Sequence, residues 1–298
     1  MGGMTDVRVL VDGLRIVESP RWHDGRLWFC HWGAGVAMAV DAEGRAEVVL
    51  DDPAVDPHTI GWLPDGRLLV VPKNQDAGRR LLRREPDGTW VAHADLSGLP
   101  AGLNELVVDG RGNVYVNGAG FGLLEFMRDL DPDDPRPLTQ RPGYAPGFIA
   151  LITADGAVHQ QRFDIAFPNG MAVTADNGTL IVSESFAGCL TAFDIAADGS
   201  LGNRRVFAGG IGPDGICLDA DGAVWTSDGG TAAVRVAEGG QILDRVELDR
   251  PPFAVMLGGD DGRTLFMLAA QWNPQDPFGG TTGRVLATTA PAPHVGWP

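Results

Sequence analysis

The sequence predicts an all-β protein, a six-bladed β-propeller with four antiparallel strands in each blade. The first observation is a repeated phrase: Pro168-Asn169-Gly170 and Pro213-Asp214-Gly215 each open an apolar strand, followed by a glycine turn and a second apolar strand. The second observation is that this strand–turn–strand pattern recurs, with turn glycines at Gly25, Gly66, Gly112, Gly178, Gly222 and Gly262. The third is that their spacings of 41, 46, 66, 44 and 40 residues match the length of one propeller blade. The long third spacing predicts an insertion in blade three.

Each blade is expected to begin at the strand that lines the central channel. The predicted blades run over 18–50, over 59–95, from 104, over 169–207, over 214–248 and from 251 onward, within one domain covering 1–298. The alternating segment Val7–Val11 is predicted to be the outer strand of blade six, beside Arg284–Thr289, because an unclosed ring would leave two open strand edges. The insertion Asp129–Pro146 could cover a mouth of the channel or form a plain surface loop.

The composition excludes several classes of partner. A net charge of −16 leaves no basic stripe for nucleic acid and disfavours an anionic membrane surface. The longest apolar run, Trp28–Val40, is too short to span a bilayer. Cys30, Cys189 and Cys217 form no paired motif, so free thiols are expected, with Cys30 and Cys217 buried in strands. Because the first six residues show no secretory signal, we expect a cytoplasmic protein that binds a small molecule. The oligomeric state stays open.

Polar side chains stand at the entry to five predicted inner strands, and these positions converge at one end of the channel. They are Glu18, His58, Asn104, Asn169 and Asp214. The carboxylates of Glu18 and Asp214 and the amide oxygen of Asn169 form a hard-oxygen set suited to Ca²⁺, Mg²⁺ or Mn²⁺. Zn²⁺ stays open as a fourth candidate, although no histidine-rich zinc pattern occurs. A divalent cation would offset the cost of burying two carboxylates together. The alternative for each Pro-Asx-Gly is an ordinary turn, but its repetition at equivalent blade positions favours the metal site.

At these residues the chain resembles the senescence-marker-protein (regucalcin)/gluconolactonase family of six-bladed propellers. The resemblance rests on the segments Glu18–Trp22, Phe167–Ala172, Gly212–Gly215 and the closing Gly283–Leu286. It extends over essentially the whole chain, and the motifs occur in the family's order.

The resemblance also implies roles for individual residues. The family's metal ligands match Glu18, Asn169 and Asp214, and its substrate-contacting asparagine matches Asn104. The sugar-lactone members commonly have an arginine two residues before that asparagine, where this chain has Gly102. We therefore expect a substrate less polar than a sugar lactone.

Aromatic residues in two loops could provide the substrate-binding wall. Phe121 follows the second strand of blade three, and Trp272 lies in a Pro- and Gly-rich loop of blade six. The alternative is that these rings pack between blades. His58, at the entry to blade two, is a further candidate for substrate contact, with a packed or exposed histidine as the alternative. Strand alternation predicts that Glu105 faces away from Asn104 and lies behind the site.

These observations predict a metal-dependent hydrolase, a lactonase that opens a lactone or related ester with activated water. Asp214 is the best candidate for the general base, and Asn104 could hydrogen-bond the ring oxygen or the carbonyl. Two alternatives stay open. One is a non-catalytic propeller that binds a metal or a partner. The other is a different chemistry on the same fold, such as phosphotriester hydrolysis or a strictosidine-synthase-like condensation. The channel acids favour an enzyme.

Overall fold

The structure is a computed structural model that describes residues 6–73, 78–100 and 102–297. Within these residues, six four-stranded antiparallel sheets follow one another along the chain. They form a six-bladed β-propeller, as the sequence predicts.

The strands are numbered in chain order. In blades one to five the four strands are consecutive and the innermost comes first, whereas blade six takes its outer strand from the start of the chain. The first strand, β1 (Arg8–Leu14), belongs to the last blade. Blade one contains β2 (Val17–His23), β3 (Arg26–His31), β4 (Val36–Val40) and β5 (Ala46–Leu50). Blade two contains β6 (Pro57–Trp62), β7 (Leu68–Pro72), β8 (Arg80–Arg84) and β9 (Trp90–Asp95). Blade three contains β10 (Leu103–Val108), β11 (Val114–Gly118), β12 (Gly147–Ile152) and β13 (Val158–Ile165).

Blades four to six repeat this order. Blade four contains β14 (Pro168–Val173), β15 (Thr179–Glu184), β16 (Cys189–Ile195) and β17 (Leu201–Gly209). Blade five contains β18 (Cys217–Leu218), β19 (Val224–Ser227), β20 (Ala232–Val236) and β21 (Ile242–Glu247). Blade six contains β22 (Pro252–Gly258), β23 (Thr264–Ala269) and β24 (Gly283–Thr289), followed by β1.

Burial along the strands follows from this stacking of blades. Strands in the middle of a sheet, such as β7 and β11, are buried at every position because neighbouring blades cover both of their faces. Outer strands such as β5 and β21 are mostly exposed. The inner pairs of strands therefore appear in the sequence as continuous apolar runs, which is the pattern that revealed the repeats.

The ring closes through the first strand, as predicted. β1 pairs antiparallel with β24, and Arg8 lies opposite Ala287 in the register. A second contact joins blade one to blade six, where the rings of Trp22 and Phe266 stack with centroids 5.5 Å apart. The hydrogen-bonding edge of β24 is thus covered, and the two ends of the chain stabilise one blade together.

Blade three carries the predicted insertion between β11 and β12. The segment between these strands is longer than the predicted bounds Asp129–Pro146, because a short helix, α1 (Leu123–Arg128), precedes them, and a 3₁₀ turn at Leu138–Gln140 lies within them. The sequence indicated the insertion through its proline and aspartate content but did not predict the helix.

The C-terminal segment runs back across blades four to six. Val173 pairs with Trp297, and Asp219 pairs with His294, each as an isolated bridge. The buried cysteines are confirmed, since Cys30 and Cys217 are both fully buried free thiols. In the part of the chain that the structure describes, no helix is long and apolar enough to cross a membrane.

The packing of β1 predicts a stability difference between two of its residues. Leu14 is buried in the core that blades one and six share, whereas Val9 is 47% exposed. We expect Leu14→Ala to lower the free energy of unfolding by about 2–5 kcal/mol, because it leaves a cavity in that core. The matched control Val9→Ala should change it by less than about 0.5 kcal/mol. Urea denaturation measures both, and equal losses would contradict the closure of the ring by β1.

Candidate functional site

A cavity of about 500 Å³ lies where the inner strands of five blades begin. Its lining includes Glu18 from blade one, Asn104 from blade three, Asn169 from blade four and Asp214 at the start of blade five. Four of the five polar residues at the predicted blade entries are therefore brought together.

The backbone is irregular at the start of these inner strands. Register shifts occur between Glu18 and Arg21, between Leu103 and Leu106, and between Pro168 and Met171. Ser19 and Phe167, which stand next to two of these shifts, have φ angles of +55° and +57°. Non-glycine residues seldom adopt this left-handed region, and such conformations are held where the surrounding structure determines them.

The irregularity in β10 overturns one prediction. Glu105 lines the same cavity as Asn104, although strand alternation predicted that the two would face apart. The prediction was wrong because the register shift interrupts the two-residue period at these positions.

The residues after Asn169 and Asp214 must be glycines, because another segment of the backbone lies close to each of them. A Cβ atom on Gly170 would lie 2.5 Å from the Ile216 nitrogen, and one on Gly215 would lie 2.5 Å from the Ala254 Cβ. The Pro-Asx-Gly phrase thus brings the inner strands of adjacent blades into near contact at the axis.

The backbone of Asp214 is fixed by its neighbours. Its carbonyl accepts hydrogen bonds from Ser183 Oγ at 2.6 Å and from the Gly170 N–H at 3.2 Å. Its own N–H donates to Thr226 Oγ1 at 3.2 Å. The position of this carboxyl group is therefore set by blades four and five together.

The two predicted metal-binding carboxylates repel each other in a buried site. Burial, followed by the charge of Asp214, raises the pKa of Glu18 well above its usual range. Burial also raises the pKa of Asp214 to about 7, even though the Asn169 side chain hydrogen-bonds it. Asp214 Oδ1 is buried without a hydrogen-bond partner among the described residues. Because buried anions need compensation, this arrangement fits a divalent cation held by Glu18, Asn169 and Asp214.

The side chains that line the cavity offer no competing cation. Among the residues that the structure describes, no lysine, arginine or histidine contributes to the lining. No group of three or more His, Cys, Asp or Glu side chains in these same residues is arranged to hold a metal. The candidate set at this site accordingly consists of two carboxylates and an amide.

Glu105, unlike Glu18 and Asp214, has a charged partner. Arg21 Nη2 donates to Glu105 Oε1 at 2.8 Å, and both side chains are almost fully buried. Ser19 Oγ donates to the same oxygen at 3.2 Å, and Thr59 Oγ1 also donates to it. The sequence alone did not predict this network, although the segment Ser19–Arg21 directly follows Glu18.

The wall of the cavity is apolar, and the insertion of blade three supplies part of it. Its residues in the lining are Leu123, Leu124, Met127 and Leu138. Leu138 belongs to the predicted insertion Asp129–Pro146, so that segment reaches the cavity at this residue, and the other three belong to α1, which precedes it. The i, i+1, i+4 spacing of the first three residues is a helical signal that could have indicated this face. Trp272 and Phe278 of the blade-six loop also line the cavity.

Two predicted substrate-binding residues do not line the cavity. His58 stacks on Trp32 with ring centroids 4.3 Å apart, so that Trp32 presents its ring to the cavity instead. Burial lowers the pKa of His58 to about 4, which keeps its ring neutral. Phe121 packs against Phe126 and Phe186 beneath the insertion, with centroids 4.9 and 5.9 Å away.

The backbone at Gly102 has a left-handed conformation that residues with a side chain rarely adopt. Its φ angle is +88°, and a Cβ atom there would lie 3.1 Å from the Ala119 carbonyl oxygen. An arginine at this position would strain the backbone as well as crowd it. The chain therefore brings no guanidinium to the site from residue 102.

Comparison with known proteins gives related hydrolases and propellers. A diisopropyl-fluorophosphatase from Loligo vulgaris is 27% identical over 239 residues, which cover 74% of this chain and 71% of the relative. A gluconolactonase from Xanthomonas campestris has a TM-score of 0.71 and 23% identity, covering 95% of this chain and 89% of its own.

A calcium-binding protein, regucalcin, from Agrobacterium tumefaciens has a TM-score of 0.75 and 20% identity, covering 98% of this chain and 95% of its own. The two structural likenesses show the fold. Residues 16–271, most of the chain and all of the cavity apart from Trp272 and Phe278, match the family described as SMP-30/Gluconolactonase/LRE-like region, and this protein belongs to that family.

Proposed function

We propose that the protein is a divalent-metal-dependent hydrolase that opens an uncharged, hydrophobic lactone or a related ester. The observation that carries the proposal is the pair of uncompensated buried carboxylates, Glu18 and Asp214, at the polar end of an apolar cavity. A non-catalytic scaffold has no need of such a costly arrangement. The gluconolactonase and diisopropyl-fluorophosphatase among the similar proteins support hydrolysis as the reaction class.

In this proposal Glu18, Asn169 and Asp214 hold the cation. When bound, the cation would supply Lewis acidity, which polarises a carbonyl and makes water a better nucleophile near neutral pH. The side chains can approach one point because each comes from the start of a different blade.

Asp214 is the proposed general base. Its Oδ1 has no hydrogen-bond partner among the described residues, so one oxygen is free to accept a proton from water. Asn104 donates one Nδ2 hydrogen to the Pro168 carbonyl at 3.1 Å. The amide nitrogen carries a second hydrogen, which we assign to the carbonyl or ring oxygen of the substrate.

The wall of the cavity determines the proposed substrate class. The insertion and the blade-six loop contribute leucine, methionine and aromatic side chains, and no basic side chain of the described residues is present to bind an anion. A polyhydroxylated sugar lactone would lose hydrogen bonds to water against such a wall. An alkyl or aryl lactone would bury apolar surface there instead.

A neutral phosphotriester is the second candidate substrate. It is favoured by the similarity to diisopropyl-fluorophosphatase, and its uncharged ester groups suit the same apolar wall. Parallel assays with a lactone and a phosphotriester separate the two candidates.

The cation should stabilise the folded protein through the two carboxylates. EDTA should abolish hydrolysis, and adding Ca²⁺, Mg²⁺ or Mn²⁺ to the stripped protein should raise Tm. At free metal of about 100 times Kd the stabilisation is about 2.7 kcal/mol. Glu18→Gln and Asp214→Asn should lose this gain, whereas Asp24→Asn, whose side chain is 79% exposed, should keep it. A full gain in Asp214→Asn would show that the ligands are misassigned.

Without metal, stability should fall as pH rises from 6 to 8. The pKa of Asp214 is about 7 in the folded protein, above its value in the unfolded chain. At pH 6 the folded state therefore binds a proton that the unfolded state does not, and this stabilisation is lost as the proton dissociates toward pH 8. The loss from this group is about 1.4 kcal/mol across the window. Asp214→Asn is the reference, because it removes this carboxyl group and changes no other titratable residue. Urea midpoints with EDTA at each pH measure the difference, and identical pH slopes for the two proteins would contradict it.

Substrate preference should follow the apolar wall. Alkyl γ- or δ-lactones should show kcat/KM at least tenfold above that of gluconolactone, a difference of about 1.4 kcal/mol. Trp272→Ala should lower kcat/KM for the alkyl lactones, and Trp90→Ala, in the outer strand of blade two, should not. All substrates are compared in the same assay, which is repeated with each metal. The rate of spontaneous hydrolysis is subtracted from each measurement. A tenfold preference for gluconolactone would refute this substrate class.

A further inference from the structure

A buried ion pair links the inner strands of blades one and three beside the candidate metal site. Arg21 lies on the inner strand of blade one and Glu105 on the inner strand of blade three. Blade two lies between these blades along the ring, so the 2.8 Å contact between Arg21 Nη2 and Glu105 Oε1 joins two blades that are not neighbours. Arg21 is 6% exposed and Glu105 9% exposed. Burying two charged side chains costs desolvation free energy, so the presence of this pair beside the site calls for an explanation.

Hydrogen bonds hold both partners in place. Arg21 Nη2 also donates to the Leu106 carbonyl at 2.6 Å, and Arg21 Nη1 donates to the Pro20 carbonyl at 2.8 Å. Glu105 Oε1 also accepts hydrogen bonds from Ser19, Thr59 and the Leu106 N–H. None of the described residues donates to Glu105 Oε2. One oxygen is thus saturated, and the other is left to a cavity that Glu105 shares with Glu18 and Asp214.

We propose that Arg21 sets the charge of the cation site by pairing with Glu105, so that the cation meets two free carboxylates instead of three. This inference rests on the proposed function. A bound cation requires its carboxylate ligands to be deprotonated, and with all three acids ionised Glu18, Asp214 and Glu105 carry three negative charges, of which Arg21 offsets one, so −3 + 1 = −2. That is the charge that one divalent cation neutralises.

The electrostatics of the site agree with this role. Burial is the largest cause of the raised pKa of Glu18, followed by the charges of Asp214 and Glu105, and Arg21 acts in the opposite direction. Glu105 also raises the pKa of Asp214. Arg21 and Glu105 therefore act on the ligands although neither belongs to the proposed ligand set. Cation affinity rises with the number of ligand charges, so the pair tunes affinity without occupying a coordination position.

Five proteins, the wild type and four variants, test the proposal through the net charge of the site. The net charge of the site is −2 in the wild type, −3 in Arg21→Met, −1 in Glu105→Gln and −2 in the double variant, from the sums given above. Calorimetric titration of Ca²⁺ alone, and of Mn²⁺ alone, into the EDTA-stripped full-length proteins measures Kd. We expect Arg21→Met to bind at least tenfold more tightly than the wild type and Glu105→Gln at least tenfold more weakly. The double variant should lie within threefold of the wild type, and so should the charge-conserving Arg21→Lys.

Each outcome has a distinct meaning. A purely structural ion pair would make both single variants bind more weakly and the double variant no better, which would overturn the proposal. Equal Kd values in all the proteins would overturn it as well. If Arg21→Met does not fold, recovery of affinity from Glu105→Gln to the double variant still decides between charge and packing. A wild-type protein that binds neither ion would instead refute the proposed function itself, which keeps the two failures separate.

Discussion

The repulsion between two buried carboxylates is the constraint on which the candidate site depends. Glu18 and Asp214 come from blades one and five and are held in one cavity although each raises the free energy of the other's charged form. Such a pair persists only if the surrounding structure is rigid enough to resist its separation. The closed ring provides that rigidity, because β1 and β24 join the chain ends and Trp22 stacks on Phe266 between blades one and six. The stability of the ring therefore maintains a site that is unfavourable by itself.

The acids of the cavity fall into two electrostatic classes. Glu105 is paired with Arg21, and its Oε1 is saturated by hydroxyl and backbone donors, whereas Asp214 has no ion-pair partner among the described residues. The apolar wall above them strengthens every charge interaction below, because it keeps water away from the site. We therefore assign different roles to the acids of this cavity. Glu105, which has a charged partner, adjusts the affinity for the cation, and Glu18 and Asp214, which have none, bind it.

The scaffold and the specificity elements belong to different parts of the structure. The inner strands carry the polar residues, and these strands follow the blade repeat. The apolar wall comes from segments that interrupt the repeat, namely the insertion with α1 and the loop that carries Trp272. This division lets one propeller support different substrates, since loops can change without disturbing the strands that hold the acids.

The sequence by itself determined the blades, the closing strand and the meeting of Glu18, Asn104, Asn169 and Asp214. These follow from a repeat, because a side chain at the same position in each unit reaches the same end of the axis. Only the tertiary structure decided which way Glu105 faces, since a bulge in β10 breaks the alternation on which a sequence argument depends. It also decided that Trp32 lines the cavity while His58 stacks behind it, and that Phe121 packs beneath the insertion. Those outcomes are set by contacts between segments far apart in the chain, and no local pattern carries that information.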